Sequence, residues 1–371
     1  MTENKQRVNK KYLKELSRHD GDTNLGDLLS LNDISSDAIN YYLAHTNSDY
    51  ILEASEGRNT SEDEPLVSFL MTTWNRKDLL ETTLESIFAL AYSNFQFVIV
   101  DDHSTDGTDL YIQQLQNKYP DIDIIFIKTK GKQGPGLNKR LGFEEVTGDY
   151  VIFIDDDDFY IDKNWIGKAL NIFKDNPTVG SVWFNSLQLY MNTEKLLFPK
   201  QSQMSLYGLV STDIVLEGFQ DQVKKPQSTF PVIFDTKKYR QAGAEEMKIL
   251  NDTSIYLRGI LAGDVYISDA VVGVYRIHDG SIGKNVSFDF IIDNVEEKKM
   301  IANRLPSNIS KEHWFYKQST LSWNYYFAKS RVVNWKGVTK WSRHLSTKYR
   351  LKFYLGIIKQ RLGYYLQKIK H

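Results

Sequence analysis

The chain has 371 residues, with 46 Lys+Arg against 47 Asp+Glu, 41% hydrophobic and 25% charged, so it can bury a full-sized core and is neither disordered nor fibrous. It contains no cysteine, which excludes a disulfide framework, a thiolate zinc site and a cysteine nucleophile and points to a reducing, cytoplasmic setting. The N-terminus is charged, and no apolar run reaches the ~18 to 20 residues of a spanning helix, which argues against a signal peptide and a transmembrane anchor.

In chain order, residues 1–64 read as an accessory segment, with helices expected over 5–18 and 37–44 and a polar linker that Pro65 closes. Self-association and bracing of a catalytic domain fit that segment equally, so a homo-oligomer stays open. From there, strands are expected over 67–73, 95–102, 123–128 and 150–155 and helices over 77–91, 106–118 and 136–146. Short apolar strands alternating with amphipathic helices give an α/β fold: a doubly wound, mostly parallel sheet with helices on both faces. We divide the chain into 1–64, a catalytic domain over 65–285 (nucleotide-binding half 65–158, acceptor-binding half 159–285), and a basic, aromatic-rich helical region over 286–371. Residues 311–371 hold 14 Lys+Arg and one acid, Glu312, a balance of +13 that leaves −14 for residues 1–310.

Ligands bind beyond the carboxyl ends of strands in such sheets, and polar residues collect there: Thr72 to Arg76, Asp101 to Ser104, and Asp155 to Asp158. Neither a dinucleotide-type glycine fingerprint nor a phosphate loop follows the first strand, which weakens NAD and ATP-hydrolase readings. Four consecutive aspartates repel, and a divalent cation relieves them; oxygen-only ligation favours Mg²⁺ or Mn²⁺. In an extended segment Asp155 and Asp157 share a face and Asp156 points the other way. The alternative is a solvated acidic loop in which Asp158 or Asp162 caps a helix.

These motifs, VSFLMTTWNR, FVIVDDHSTDGT and GPGLNKRLGFEEVTGDYVIFIDDDD, in that order, resemble family 2 of the inverting glycosyltransferases, which have the GT-A fold. The resemblance runs from about Leu66 to Lys284. It implies that Asp102 accepts a hydrogen bond from the uracil N3–H while Asp101 braces the turn. Thr72, Thr73 and Trp74 would wall the base, within a nucleotide loop that continues through Asn75 and Arg76. Asp155 and Asp156 would face the nucleotide, Asp157 would bind the metal, and Lys139 or Arg140 would supply the basic group. Thr72 stands where many members carry proline. GAEEMKILNDTSIYLRGILAGD resembles the family's base-bearing helix, which makes Asp252 the candidate general base; a plain helix N-cap is the competing role for it. VVGVYRIHDGS resembles the closing strand, with His278 as a metal or phosphate contact and Arg276 and Ser281 as weaker candidates. Trp183 is a further candidate on the acceptor side.

In the tail, Leu351, Leu355, Ile358, Leu362, Tyr365/Leu366 and Ile369 form one helical stripe flanked by Lys and Arg. With Trp314, Trp323, Trp335, Trp341, Tyr364 and Tyr365 nearby, the pattern favours an anionic membrane surface over a helical bundle packed on the catalytic domain, with nucleic acid last. The sequence therefore reads as a cytoplasmic, peripherally membrane-bound, metal-dependent glycosyltransferase. It would move a sugar from a nucleotide-sugar, most simply a UDP-sugar, to a glycan or lipid-linked saccharide. A sugar-nucleotide nucleotidyltransferase and a non-catalytic sugar-nucleotide or membrane-binding scaffold are the rivals.

Overall fold

The computed structural model describes residues 34–35, 64–193, 195–198, 204–278, 288–327 and 335–369. The helices expected over 5–18 and 37–44, and Ser281, lie outside the described residues. The chain divides into two compact units, one of residues 1–215 and 223–281 and the other of residues 216–222 and 282–371.

In the first unit β2 (Val67–Thr73), β3 (Phe95–Asp101), β4 (Asp123–Lys128) and β5 (Tyr150–Asp155) are parallel and ordered β5-β2-β3-β4. Their crossovers carry α1 (Lys77–Phe88), α2 (Thr108–Lys118) and α3 (Pro135–Phe143). The sheet continues from β5 through antiparallel β10 (Val232–Asp235) to β7 (Val179–Tyr190), and β11 (Asp264–Ile277) runs parallel to β7. This mixed, mostly parallel α/β sheet agrees with the expected class.

Alternation along each strand sends side chains to two cores. Phe69, Phe97, Ile99, Ile152 and Ile154 join Leu80, Leu84 and Ile87 of α1, Ile112 of α2, and Trp165 and Ile166 of α4 (Trp165–Asp175). On the other face Phe153 packs against Phe143 of α3, with ring centroids 5.9 Å apart, and against Tyr239 of α6 (Thr236–Gln241), at 5.7 Å. Gly142 lets α3 come this close. A Cβ there would lie 2.4 Å from Leu70 Cδ1 and 2.8 Å from Val100 Cγ2.

The register aligns the strand ends, with Thr72 opposite both Val100 and Asp155 and Thr73 opposite Asp101. The three polar clusters therefore share one rim.

The second unit contains α8 (Phe288–Asn303), α9 (Lys311–Phe327), α10 (Trp335–Ser342) and α11 (Thr347–Ile369). Trp314 Nε1 donates to Leu216 O at 2.7 Å and Gln318 Nε2 to Phe219 O at 2.9 Å, which ties residues 216–222 to α9. Trp323 meets Trp341 and Phe353 edge-on, with centroids 5.7 and 5.6 Å apart. This corrects the sequence reading: Trp314, Trp323 and Trp341 are buried core residues rather than boundary aromatics, and among the four tryptophans only Trp335 is exposed. The side chains of Tyr364 and Tyr365 lie outside the described residues.

Lys298 is buried in this unit, donating to Ser322 Oγ at 2.6 Å and to Gln318 Oε1 at 3.3 Å. Burial pushes its ammonium down to about 7.

Gly142→Val should lower the unfolding free energy by about 1–3 kcal/mol, the range for overpacking a filled core, as read from denaturant melts. Lys298→Met should raise the melting temperature more at pH 6 than at pH 9. The depressed folded-state pKa means that the native protein holds a buried charge only below about pH 7, so folding penalises the lysine most in acid.

Candidate active site

The rim is built by loops that lock onto one another. Asn75 and His103, just past β2 and β3, adopt left-handed φ values of 50° and 69°, a region Asn and His tolerate better than most residues. Asn75 N donates to Ser104 Oγ and Thr105 N donates to Asn75 Oδ1, both at 2.8 Å. Asn75 thus spends its side chain joining two loops. Asp101 accepts from Ser104 N at 3.0 Å, the bracing role expected of it. Asp102 is also buried; its two oxygens accept from Gln133 N at 2.8 Å and Gly134 N at 3.0 Å, which clamps the entry to α3. A carboxylate oxygen has a second lone pair, so Asp102 keeps acceptor capacity. Thr72 and Thr73 are buried, whereas Trp74 is 42% exposed with the Lys132 ammonium 3.0 Å from its ring centroid.

The four aspartates are met by basic side chains from three other segments. Lys139, on α3, is buried, with Nζ 2.8 Å from Asp155 and 3.8 Å from Asp252. Burial lowers the Lys139 pKa, but the charges of Asp155 and Asp252 outweigh it and raise it above the usual lysine range. Arg76, at the start of α1, reaches Asp156 at 2.8 Å and Asp157 at 2.6 Å. His278, just after β11, lies 2.9 Å from the same Asp157 oxygen. Arg276, on β11, bonds the Asp157 carbonyl and donates to Leu79 O at 2.9 Å and Thr83 Oγ1 at 3.0 Å.

These partners separate the carboxyls. Burial works to raise Asp157, yet the His278 hydrogen bond and the charges of Arg76, His278 and Arg276 hold it below the usual carboxylate range. Burial raises Asp155 despite Lys139 and pushes Asp156 up to about 7 despite Arg76. Asp158, fully buried and next to Asp157 and Asp155, is raised well above the ordinary value.

Several expectations are corrected by this geometry. Asp156 is fully buried against Arg76, and Thr83 bonds its carbonyl at 2.9 Å, so as placed it cannot meet a nucleotide. Arg140 pairs with Glu144 along α3 at 3.0 Å; of the two basic candidates, Lys139 is the one that reaches the acidic cluster. Arg276 is a buried brace between β11, α1 and the acidic turn. Trp183 is fully buried, its indole N–H on Ser181 Oγ at 2.9 Å and its ring edge-on to Tyr256, which leaves it no surface for a sugar.

Asp158 caps no helix. It accepts from Arg276 N at 3.2 Å, and Asp155, Asp157 and Asp158 each present an oxygen within 4.8 Å of the others. The second Asp158 oxygen is buried beside the Ser228 hydroxyl. Three hard donors so placed fit a divalent cation. The sequence reading missed Asp158 as a donor because alternation along an extended segment groups only Asp155 with Asp157; β5 ends at Asp155 and the chain turns there. The competing role for Asp252 falls to its neighbour. Asn251 caps α7 (Asp252–Leu261) by accepting from Ser254 N at 3.0 Å, while Asp252 stays 42% exposed at the first helical position.

An acidic rim and an exposed carboxylate thus lie at the C-terminal edge of the sheet, where open α/β sheets bind ligands. The sequence pattern of glycosyl transferase family 2 matches residues 68–226. The putative teichuronic acid biosynthesis glycosyltransferase TuaG of Bacillus subtilis is 34% identical over 60% of this chain and 83% of its own length. The Escherichia coli UDP-Glc:alpha-D-GlcNAc-diphosphoundecaprenol beta-1,3-glucosyltransferase WfaP is 33% identical over 59% of this chain and 80% of its own length. A Campylobacter jejuni GalNAc(5)-diNAcBac-PP-undecaprenol beta-1,3-glucosyltransferase is 37% identical, but the match spans only 30% of that protein and 25% of this chain. The fold matches Staphylococcus aureus TarS, solved with UDP-GlcNAc, at a TM-score of 0.59 over 80% of this chain and 89% of that one, with 15% identity. The chain belongs to glycosyl transferase family 2 and is a glycosyltransferase.

Removing Lys139 should unsettle the site before any chemistry is tested. Lys139→Met strands Asp155, and because Asp155 retains 28% exposure the loss should be about 2 kcal/mol rather than the ~3–5 kcal/mol of a sealed pair. Denaturant unfolding of the purified variant measures it.

Proposed function

We propose that this enzyme transfers a sugar from a UDP-sugar, with a divalent cation, to a hydroxyl of a lipid-linked saccharide in surface-polysaccharide synthesis, inverting the anomeric centre. The observation that carries the reading is the bridge Asp155–Lys139–Asp252, 2.8 and 3.8 Å long, which ties the metal motif to an exposed carboxylate free of capping duty. The relatives support this substrate class: WfaP is named for UDP-Glc and a diphosphoundecaprenol acceptor, and TarS was solved with UDP-GlcNAc. An acceptor of that kind is consistent with work at the inner face of the cell membrane.

In this reading Asp157 and His278, with Asp155 and Asp158 beside them, would hold Mn²⁺ or Mg²⁺. The cation supplies charge stabilisation for the departing diphosphate. Asp102 offers its remaining lone pairs to the imino N–H of uracil. Trp74 stacks on the base through the face that Lys132 does not cover. Asp252 takes the proton from the acceptor hydroxyl as it attacks C1, because a single in-line displacement requires that oxygen to shed its proton as it bonds. Lys139 holds Asp252 and Asp155 in register.

Thermal melts with UDP, GDP, dTDP and CMP, each with and without Mn²⁺, test the donor site, since a ligand bound only by the native state raises the melting point. UDP with Mn²⁺ should stabilise the wild type and Asp252→Asn alike and leave Asp157→Asn unmoved. Asp252→Asn should lower sugar transfer by about 10²–10⁴-fold, the range for a positioned base. A Mn²⁺-independent UDP shift defeats the metal role, and an active Asp252→Asn defeats the base.

A further inference from the structure

α11 has two apolar faces. Tyr349, Phe353 and Ile357 are buried, Phe353 against Trp323 and Trp341. Leu351, Leu355, Ile358 and Leu362 are 63%, 56%, 44% and 59% exposed. At 100° per residue the second set centres about 170° from the first, so it forms a stripe on the opposite side of the helix that runs about 16 Å along its axis. A helix that packs in a bundle needs only one apolar face, and among the described residues nothing covers the other.

The surroundings of the stripe identify its partner. Residues 335–371 contain ten Lys+Arg and no Asp or Glu. Lys348, Lys352 and Lys359 are exposed along one flank of the stripe, and Lys336 and Lys340 are exposed on α10. Trp335, 50% exposed, stacks on Tyr354 with centroids 6.5 Å apart and planes 11° apart, which adds an amphipathic ring to the same helix pair. A protein partner complementary to this surface would need an acidic rim of its own. An anionic bilayer meets both demands at once: apolar side chains enter the interface while the long cationic stems reach phosphate headgroups.

We propose that the stripe Leu351, Leu355, Ile358 and Leu362 of α11, with its flanking cations, is a docking surface for an anionic lipid bilayer. This names the surface behind the membrane placement proposed above and rests on that placement, but it is tested without sugar transfer.

The test is flotation of the full chain with phosphatidylcholine vesicles and with vesicles that also contain phosphatidylglycerol, at low and high ionic strength. The wild type should float with the anionic vesicles about tenfold better than with neutral ones and lose most of that gain in high salt. Leu355→Glu/Ile358→Glu should lose binding at unchanged melting temperature and unchanged transfer to a soluble acceptor analogue. Leu355→Met/Ile358→Leu should keep it, and Lys352→Glu/Lys359→Glu should weaken binding to the anionic vesicles alone. A wild type that stays behind, equal flotation of the Glu variant, or equal binding to neutral vesicles overturns the proposal. So does a dimer in solution that the Glu variant splits into monomers, which would assign the stripe to a second copy. An inactive enzyme that still floats would defeat the transfer reading and leave this surface standing.

Discussion

Four adjacent carboxylates at the end of a central strand are the constraint on which the first unit depends. Two such charges 4 Å apart repel by ~4 kcal/mol at an effective dielectric of 20, and here all four are crowded against an apolar sheet. The chain answers with Arg76 just before α1, Lys139 from α3, Arg276 from β11 and His278 just after it. Segments as distant in sequence as residues 76 and 278 are thereby held to one turn. Arg276 reaches back to Leu79 and Thr83, so the same charge compensation also fixes the N-terminal half of α1.

Compensation is uneven. Asp157 has three basic neighbours and stays ionised, while Asp156 and Asp158 lie deep enough that burial raises them. Asp155 and Asp252 share the buried Lys139 ammonium, which lies 2.8 Å from the first and 3.8 Å from the second. The Asp252 side chain is thereby held near the acidic turn while staying 42% exposed to solvent. Asn251 takes the helix cap, so Asp252 beside it is not needed for that folding role.

The sheet was legible because its strands are apolar on both faces and its helices on one, patterns that a parallel, doubly covered sheet imposes directly. The strand ends were legible as a site for the same reason: polar residues recur where the apolar runs stop. What the sequence could not convey was direction. Nothing in Asn138-Lys139-Arg140 says which basic residue turns inward; the phase of α3 against the sheet, set by the close approach at Gly142, decides for Lys139. Trp183 looked like a sugar platform because aromatic rings serve sugars and cores alike, and only the packing against Tyr256 distinguishes the two. Asp158 was hidden by a turn that breaks the alternation assumed for an extended strand.

The second unit shows the same ambiguity with the opposite result. Its tryptophans looked like boundary residues, yet Trp323 and Trp341 form the bundle core with Phe353. The leucine stripe of α11, which a bundle would be expected to bury, is what remains outside. The two outcomes have one cause. Aromatic residues supply most of the volume that the helices need to close on one another, and Tyr349, Phe353 and Ile357 use up the face of α11 that points inward. Once that face is filled, the geometry of a helix leaves residues two positions away on the far side. Leu351 and Leu355 are exposed because Tyr349 and Phe353 are buried, so their apolar character owes nothing to the fold of this unit.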